Sequence, residues 1–455
     1  MILPFSVNFP QRCSSFAILF SLYQNSPPRA RRERRIRARI LYRVCIGFRL
    51  HFLLRALVLF RILCYNGERT SVKQGDCTFM KTVYQHIQLP EHRRILMISD
   101  LHGHADGLRV LLCKARFSKD DILFIVGDLI EKGPQSLDVI RLVMELQKTH
   151  TIYPLMGNVE LWRLETLQSD DPGLWREMAK NSLKCMEWWG GSLLHEMCAE
   201  IGVPLRQDTD IVPLIPLLRQ RYSPEISFLS SLPTLLETDR FIFVHGGIPH
   251  EDLHRLIGTD AFPLLKFDDF YNAGLRFHKY VAVGHWPAVL YSKTYPDFNP
   301  IIDRERHILS LDGACGVKKE GQLNLVMLPD EQSEDFSFLT WDHLPVIRAE
   351  EGQAGSPPEK ARYIRWNDHA VELIEKGEEI SRVNYHGQLM DVPTQFIFFH
   401  HGMLSCADIT DYVLPVSPGE DMFLILRLST GCYVKKNGIA GWYYGRYTMK
   451  TEETI

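Results

Sequence analysis

Three short polar loops, each directly after a run of apolar residues, constrain the fold of this chain more than any other feature. The loops are Ser99–Gly103, Gly127–Gly133 and Gly157–Glu160, and the apolar runs before them are Ile95–Ile98, Ile122–Val126 and Ile152–Leu155. Helical periodicity at Leu108–Ala115 and Leu137–Leu146 separates the loops. The alternation predicts a parallel sheet whose loops gather at the carboxyl ends of the strands. Asp, His and Asn side chains would converge there as ligands for a hard or borderline divalent metal.

The loops have the patterns Asp-x-His-Gly, Gly-Asp-x-x-x-x-Gly and Gly-Asn-x-Glu. They resemble the signature of calcineurin-like metallophosphoesterases, specifically the phosphoprotein-phosphatase branch. Two later segments, Phe243–Ile248 and Val283–His285, match the same signature in the same order. The resemblance covers residues 94–328 and is strongest to bacterial members. It implies the α/β class, as a four-layer α/β/β/α metallophosphoesterase sandwich with a helical cap.

The resemblance also implies a centre with two divalent metal ions, Mn²⁺ or alternatively Fe or Zn. The first metal would be bound by Asp100, His102 and Asp128, and the second by Asp128, Asn158, His245 and His285. A carboxylate suits the shared position of Asp128 because each of its oxygens can bind one cation. A hydroxide activated by both metals would then hydrolyse phosphate monoesters.

Two stretches depart from the family pattern. Glu131 and Lys132 stand where the family has Asp and Arg, and Val159 stands where the family has the His that protonates the leaving group. Loss of a general acid typically costs about 10²–10⁴-fold in rate. Lys132 still supplies positive charge for phosphate, without the bidentate fork of Arg. We expect the catalytic group to comprise Asp128, Glu131, Lys132 and His104, the last lying close behind the first loop.

A metal-dependent phosphoesterase is therefore the predicted function, and three forms of it stay open. A serine/threonine protein phosphatase comes first by family resemblance. A hydrolase of dinucleoside polyphosphates or other nucleotides comes second, because a better leaving group tolerates the missing acid. A metal-binding pseudophosphatase that acts as a scaffold comes third. The six retained ligand positions argue against this third form.

The first 79 residues differ in charge from the rest. Residues 1–77 contain 13 Arg and 1 Lys against 3 acidic residues, which gives a net charge of +11. Because the whole chain has a net charge of −3, the remainder carries −14. An acidic remainder argues against nucleic acid as a partner. The apolar residues 46–65 are interrupted by three Arg. A membrane span is not expected, since a charge at the bilayer centre costs about 2.5–3.5 kcal/mol.

We interpret residues 1–79 as a basic leader that is non-native or disordered, with the natural start at Met80. Gln74–Asp76 can be encoded by a purine-rich ribosome-binding sequence suitably placed before Met80. An Arg-rich segment lying on a membrane surface is the alternative. The ten Cys form no Cys-x-x-Cys pair and show no zinc spacing, which favours a reduced, cytoplasmic setting.

The rest of the chain is predicted to comprise a metallophosphoesterase domain at 80–330 with a helical insertion at 161–225, a linker at 331–362 and an all-β domain at 363–450. The linker prediction rests on acidic and then Gly- and Pro-rich composition. In the last domain, Asn437-Gly438 is a hairpin turn pattern, and residues 433–442 resemble the closing strands of an SH3-like barrel. We expect the catalytic domain to act on a phosphorylated protein or a nucleotide, and to fold without the barrel. The barrel would bind a peptide or a cell-wall-type ligand.

Overall fold

The structure is a computed structural model that describes residues 80–400 and 402–450. The leader predicted at 1–79 lies outside the described residues. In chain order, the strands of the first part are β1 (Tyr84–His86), β2 (Ile95–Ile98), β3 (Ile122–Val126), β4 (Thr151–Leu155), β5 (Leu235–Glu237), β6 (Phe241–Val244), β7 (Tyr280–Val283), β8 (Ile301–Asp303), β9 (Ile308–Ser310), β10 (Leu323–Leu328) and β11 (Ser337–Trp341).

These strands form two sheets. The first has the order β11-β10-β2-β3-β4, and the second has the order β1-β5-β6-β7-β9-β8. β2, β3 and β4 run parallel, and each begins and ends within one residue of the predicted apolar run. β6, β7 and β9 are likewise parallel in the second sheet. The carboxyl ends of the parallel strands therefore carry the polar loops, as predicted.

The helices are α1 (Ala105–Lys114), α2 (Ser136–Gln147), α3 (Asn158–Leu167), α4 (Pro172–Trp189), α5 (Leu193–Glu200), α6 (Ile215–Arg221), α7 (Ser223–Ser230) and α8 (Phe262–Leu265). The sequence determines both ends of α4. Asp171 accepts a hydrogen bond from the Gly173 N–H at its start, and Gly190 ends it with a φ of 86°. The segment predicted as an insertion is thus helical. No helix within the described ranges is long and apolar enough to span a lipid bilayer.

Apolar side chains fill the space on both faces of each sheet, because successive strand residues point to opposite faces. Between the sheets, Phe124 of β3 stacks on Phe243 of β6 with ring centroids 3.9 Å apart. On the outer face of the first sheet, Leu96 packs with Leu108 of α1. On the outer face of the second, Val281 packs beneath α8 and short 3₁₀ turns. The mixed α/β fold is confirmed.

The remaining strands are β12 (Val346–Ala349), β13 (Tyr363–Ile364), β14 (Glu372–Glu375), β15 (Ile380–Tyr385), β16 (Gln388–Pro393), β17 (Ile397–His400), β18 (Met403–Cys406), β19 (Ile409–Thr410), β20 (Asp421–Leu428), β21 (Gly431–Lys436), β22 (Ile439–Tyr443) and β23 (Tyr447–Met449). They form sheets ordered β22-β21-β20-β12-β23 and β14-β15-β16, and the pairs β13-β19 and β17-β18. The predicted turn at Asn437-Gly438 joins β21 to β22, and both residues have positive φ. This part is all-β, but its small separate sheets do not show a closed SH3-like barrel.

The segment predicted as a linker at 331–362 contains two strands, β11 and β12. β11 pairs with β10 in the first sheet, and β12 pairs with β20 and β23 in the C-terminal sheet. The two parts also share a hydrophobic core, in which Val289 and Phe298 pack with Tyr433 and Trp442. The composition was misleading because both strands are short and partly exposed, so their apolar pattern is weak. Residues 80–400 and 402–450 consequently belong to one compact unit.

Candidate metal centre

The loops after β2, β3, β4, β6 and β7 bring the predicted ligands to one edge of the paired sheets. Several ligands adopt left-handed backbone conformations, with φ of 53° at Asp100, 41° at His102, 51° at Asp128 and 64° at His285. Each non-glycine residue in such a conformation costs about 1–3 kcal/mol, and such residues cluster at functional sites. Backbone strain at these residues is therefore part of how the fold orients their side chains.

The side chains of Asp100, His102, Asp128, Asn158 and His245 surround one buried volume, and none is more than 4% exposed. Asp100, Asp128 and His245 place ligand atoms within 4.8 Å of one another. His245 Nε2 lies 3.2 Å from both Asp128 Oδ1 and Asn158 Oδ1. His102 Nε2 lies 3.6 Å from Asp128 Oδ2 and 3.8 Å from Asp100 Oδ1. Carboxylate, amide and imidazole donors in this arrangement fit divalent metal ions.

Backbone carbonyls orient two of the imidazole rings. His102 Nδ1 lies 3.1 Å from the Ile130 carbonyl oxygen, and His245 Nδ1 lies 2.8 Å from that of Val126. An Nδ1–H that donates to a carbonyl leaves the Nε2 lone pair for a metal. Both Nε2 atoms face the acidic side chains, which is the orientation that the predicted ligand role requires.

His285 is oriented differently and involves a residue that sequence reasoning missed. Its Nε2 lies 2.7 Å from Asp268 Oδ1, and its backbone N–H donates to Asp100 Oδ2 at 3.1 Å. Lys266 Nζ donates to the same Asp268 oxygen at 2.8 Å. With Nε2 engaged, Nδ1 is the nitrogen that can bind a metal, and Asp268 fixes the ring. Asp268 lies in an irregular segment with no recognisable sequence pattern.

The electrostatics of the centre suit a cation. Burial, with the nearby Asp128 charge, raises the pKa of Asp100 to about 6. Burial, with the Lys132 charge, lowers the pKa of His102 to about 3. Although burial opposes it, the carboxylates of Asp128 and Asp100 raise the pKa of His245 to about 10. Burial likewise opposes the shift at Asp128, where His245 holds the pKa below its usual range. The carboxylates thus favour the protonated, positively charged form of the His245 imidazole. A bound divalent ion would supply that positive charge in its place.

Glu160 fixes the loops that carry the ligands. Its buried carboxylate accepts the backbone N–H groups of Asp128, Leu129, Ile130 and Gly157 at 2.8–3.2 Å. A carboxylate that accepts several N–H bonds holds its loop rigidly, because each bond is charge-assisted. The sequence includes Glu160 in the third motif, but its role in tying two loops together follows only from the structure.

Asp312 is a second residue that sequence reasoning missed. It is buried, its Oδ1 accepts the Ala314 N–H at 2.7 Å, and its Oδ2 has no hydrogen-bond partner. Burial, with the Asp100 charge, raises the pKa of Asp312 well above its usual range. The pattern that could have revealed it is a polar residue beside a glycine, Asp312-Gly313, directly after the apolar run of the predicted strand at β9.

The predicted catalytic residues occupy different places. Lys132 lies at the centre, with Nζ 2.8 Å from His102 Nε2. The Glu131 carboxylate instead bonds to residues outside the candidate ligand set. Its Oε1 accepts bonds from Arg163 Nε at 2.7 Å and from the Leu193 N–H at 3.2 Å. Glu131 thereby ties α3 to the start of α5.

His104 and Val159 border the same loops. His104 Nδ1 lies 3.1 Å from the Leu101 carbonyl oxygen, and its ring lies 5.8 Å from that of Trp341. Burial lowers the pKa of His104 and so disfavours the protonated form that a general acid needs. Val159 is buried, and its N–H donates to Asp128 Oδ1 at 3.0 Å. The assignment of His104 as a catalytic residue stays a prediction.

Comparison with known proteins agrees with this geometry. The family Calcineurin-like phosphoesterase matches residues 93–305. Serine/threonine-protein phosphatase 2 of Escherichia coli (strain K12) is 37% identical over 95 residues, which cover 21% of this chain and 42% of that protein. The symmetrical bis(5'-nucleosyl)-tetraphosphatase of Vibrio parahaemolyticus is 28% identical over 159 residues, which cover 34% of this chain and 46% of that protein. The matches thus span less than half the length of these two relatives.

Among solved structures, a serine/threonine phosphatase from Saccharomyces cerevisiae aligns with a TM-score of 0.35 and 12% identity. The alignment covers 58% of this chain and 84% of that one. The family match begins just before β2 and ends at the turn between β8 and β9. Each predicted metal ligand lies inside this range.

Proposed function

We propose that this protein is a calcineurin-like metallophosphoesterase, a metal-dependent hydrolase of phosphoric esters, as the family match over residues 93–305 supports. The observation that carries the proposal is the convergence of Asp100, Asp128 and His245 within 4.8 Å, in a buried volume that Asn158 and His102 complete. Lys132 also lies at this cluster, but the side chains within hydrogen-bond or ligand distance of the carboxylates are imidazole and amide groups, which is the chemistry of a metal site.

The ligand assignment follows the family pattern. One divalent ion would be held by Asp100, His102 and Asp128, and the other by Asp128, Asn158, His245 and His285. When bound, such a pair supplies a nucleophilic hydroxide and neutralises charge on the phosphoryl oxygens. Mn²⁺, or a pair containing Fe or Zn, suits this mixed nitrogen and oxygen set. Lys132 extends the positive charge of the centre toward the phosphate of the substrate.

A phosphorylated protein is the first substrate class we propose. The E. coli relative named a serine/threonine-protein phosphatase supports it. Hydrolysis of an alkyl phosphate is demanding, because the departing serine or threonine oxygen is strongly basic and needs a proton. The chain supplies no acid at position 159, where a buried valine stands.

This observation favours a second candidate, a dinucleoside polyphosphate or another nucleotide. A phosphoanhydride expels a phosphate oxygen of low basicity, so it departs without a proton donor. The V. parahaemolyticus relative, named a symmetrical bis(5'-nucleosyl)-tetraphosphatase, supports this class. The third form, a pseudophosphatase scaffold, would bind metal without turnover.

One assay separates the three. The full chain, loaded with Mn²⁺, is given a phosphoserine peptide and diadenosine tetraphosphate, and kcat/KM is compared with that of the Asp128→Asn variant. Faster turnover of the peptide supports the protein phosphatase, and faster turnover of the dinucleotide supports the nucleotide hydrolase. Metal binding without turnover of these substrates or of an activated aryl phosphate supports the scaffold and contradicts the proposed enzyme.

We further propose that the C-terminal β region adopts an SH3-like arrangement, and that the protein acts in a reduced, cytoplasmic setting without nucleic-acid or membrane partners. A surface for a peptide or cell-wall-type ligand is supported by Tyr444, which is 54% exposed and stacks on Trp442 with ring planes 6° apart. Chemical-shift changes at Tyr444 upon titration with a peptide or a muropeptide would test it. A titration that leaves these resonances unmoved would contradict the ligand.

A further inference from the structure

The segment Asp312–Gly321, here called the 312–321 segment, forms one wall of the metal centre. Gly316 has a φ of 69° and packs closely on the first two ligand loops. A methyl group at Gly316 would lie 3.0 Å from His102 Cβ and 3.3 Å from Lys132 Cβ. The position of this segment therefore limits where His102 and Lys132 can lie.

The C-terminal β region holds this segment from the other side through an ion pair. Lys318 pairs with Asp408, which lies just before β19, and the two side chains are only 15% and 16% exposed. The Tyr363 hydroxyl of β13 also donates to Asp408, at 3.3 Å from its Oδ2. An ion pair shielded to this degree is stronger than one on the open surface.

A second anchor is fully buried. Lys435 of β21 donates to the backbone carbonyl of Glu320 and pairs with Asp342, and both charged side chains are at most 1% exposed. Its ammonium group also lies 4.9 Å from the centroid of the Phe298 ring. A buried ammonium is tolerated only with its partners in place, so the β21 strand and the end of the segment are fixed relative to one another.

We propose that Asp408 and Lys435 are positioning residues for the phosphatase centre, acting through the 312–321 segment on Lys132 and His102. The C-terminal β region is then a part of the catalytic machinery and not only a separate ligand-binding module. The inference rests on the proposed function, because its effect on turnover requires that the centre hydrolyse phosphate esters. The same contacts also lead to a prediction about amide hydrogen exchange in the 312–321 segment, which does not depend on turnover.

The first test is Asp408→Ala in the full chain, assayed with Mn²⁺ and an aryl phosphate. Release of Lys318 should let the segment shift and should lower kcat roughly 10- to 100-fold, the effect of a misplacement of about 1 Å. Bound metal should stay near the wild-type amount, because Asp408 contacts no ligand. The matched control is Asp391→Ala, which removes the exposed Arg382 pair of the same region and should leave kcat unchanged.

A charge exchange separates positioning from general stability. Lys318→Ala alone should lower kcat as Asp408→Ala does, and the double exchange Lys318→Asp with Asp408→Lys should restore at least part of it. A lowered melting temperature with unchanged kcat in both single variants would overturn the inference. Lys435→Met is a weaker test, because removal of a fully buried charge partner can prevent folding.

Hydrogen exchange distinguishes a failure of the positioning inference from a failure of the proposed function. Asp408→Ala should speed amide exchange within the 312–321 segment, whereas Asp391→Ala should not. If the wild-type chain turns over no phosphate ester with any divalent metal, the proposed function fails, and faster exchange in Asp408→Ala would still support the anchor. If the wild type is active and Asp408→Ala changes neither kcat nor exchange, the positioning inference fails while the proposed function stands.

Discussion

Asp128 lies between the two halves of the proposed metal centre. Its Oδ1 lies 3.2 Å from His245 Nε2, and its Oδ2 lies 3.6 Å from His102 Nε2. Asp128→Asn keeps the shape but removes the charge, so we expect turnover to be lost and bound metal to fall. Metal analysis of the purified variant, together with an aryl phosphate assay, measures both. Wild-type activity with two metals bound would contradict the motif assignment.

Val159 leads to a prediction about leaving groups. With no acid at this position, the departing oxygen must leave as an anion, so kcat/KM should fall steeply as the leaving-group pKa rises. Aryl phosphates and phosphoanhydrides should be cleaved readily, and phosphoserine slowly. Val159→His should favour alkyl phosphates over aryl ones, by up to about 10²–10⁴-fold, the usual contribution of a general acid. A series of substrates with graded leaving groups gives the slope.

The control for this prediction concerns His104 and Glu131. A flat dependence in the wild-type protein would mean that another donor acts, and His104→Ala should then steepen it. Pairing Val159→His with Glu131→Asp follows the family pattern, but Glu131 already bonds Arg163 and the Leu193 N–H. The shorter side chain should weaken these contacts, so the single Val159→His variant is the cleaner test.

Asp268→Asn tests how His285 is oriented. Asn keeps an oxygen near His285 Nε2 but loses the charge and the ion pair with Lys266. Loss of a charged partner to a metal-binding His typically costs about 10–100-fold in metal affinity or activity. Metal titration followed by calorimetry should show this loss for one of two sites. If both metal affinities are unchanged in the variant, Asp268 stabilises the local fold and does not orient a metal ligand.

At the residue scale, the sequence predicted the residues that belong to a motif. It did not predict the residues whose roles depend on tertiary contacts. Asp100, Asp128 and His245 lie together as the pattern of strand and polar loop predicts. Glu131 has the right place in the chain, but its side chain turns to Arg163, one helical turn after Val159. No local pattern reveals such a pairing, because the partners come from different elements.

Among the elements, the loops of two separate sheets carry the proposed metal ligands. Asp100 and Asp128 follow strands of the first sheet, whereas His245 and His285 follow β6 and β7 of the second. A bound metal should therefore tie the sheets together and stabilise the fold by about 2.7 kcal/mol at 100 times its Kd. For a cooperative unit of roughly 370 residues, that corresponds to a rise in Tm on the order of 3–4 °C. Scanning calorimetry with and without a chelator measures it.

The matched control is the Asp128→Asn variant, whose Tm should respond little to the chelator. A wild-type Tm that is equal with and without metal would show that the two sheets need no cation to stay together. It would also contradict the assignment of ligands to both sheets.

The elements that sequence predicted well are those with continuous apolar runs. β2, β3 and β6 are buried on both faces, so their sequences are apolar throughout and easily recognised. β11 and β14 are short, partly or wholly exposed, and lack such a run. Each pairs with the strand next to it in the chain, β11 with β10 and β14 with β15. Because neither has a continuous apolar run, neither stands out from its surroundings in the sequence, which is why β11 was assigned to a linker.

At the scale of the whole molecule, contacts with the C-terminal strands lead us to expect that residues 80–330 will not fold alone. Truncation after Asp330 would remove β11 from the edge of the first sheet. It would also expose Val289 and Phe298, which pack against Tyr433 and Trp442. Each newly exposed large apolar side chain costs about 1.5–3 kcal/mol, and a domain has only about 5–15 kcal/mol in total. We expect the truncated chain to be poorly soluble or much less active than the full chain.

The test compares the truncated chain with the full chain in solubility, Tm and kcat toward an aryl phosphate. Co-expression of residues 331–455 as a separate fragment should recover part of the activity, because the shared core and the Lys435 anchor can form between two chains. A truncated chain with full activity and an unchanged Tm would show that the catalytic part is autonomous. In that case the contacts between the two parts would fix the position of the C-terminal region, because the catalytic part would be stable without them.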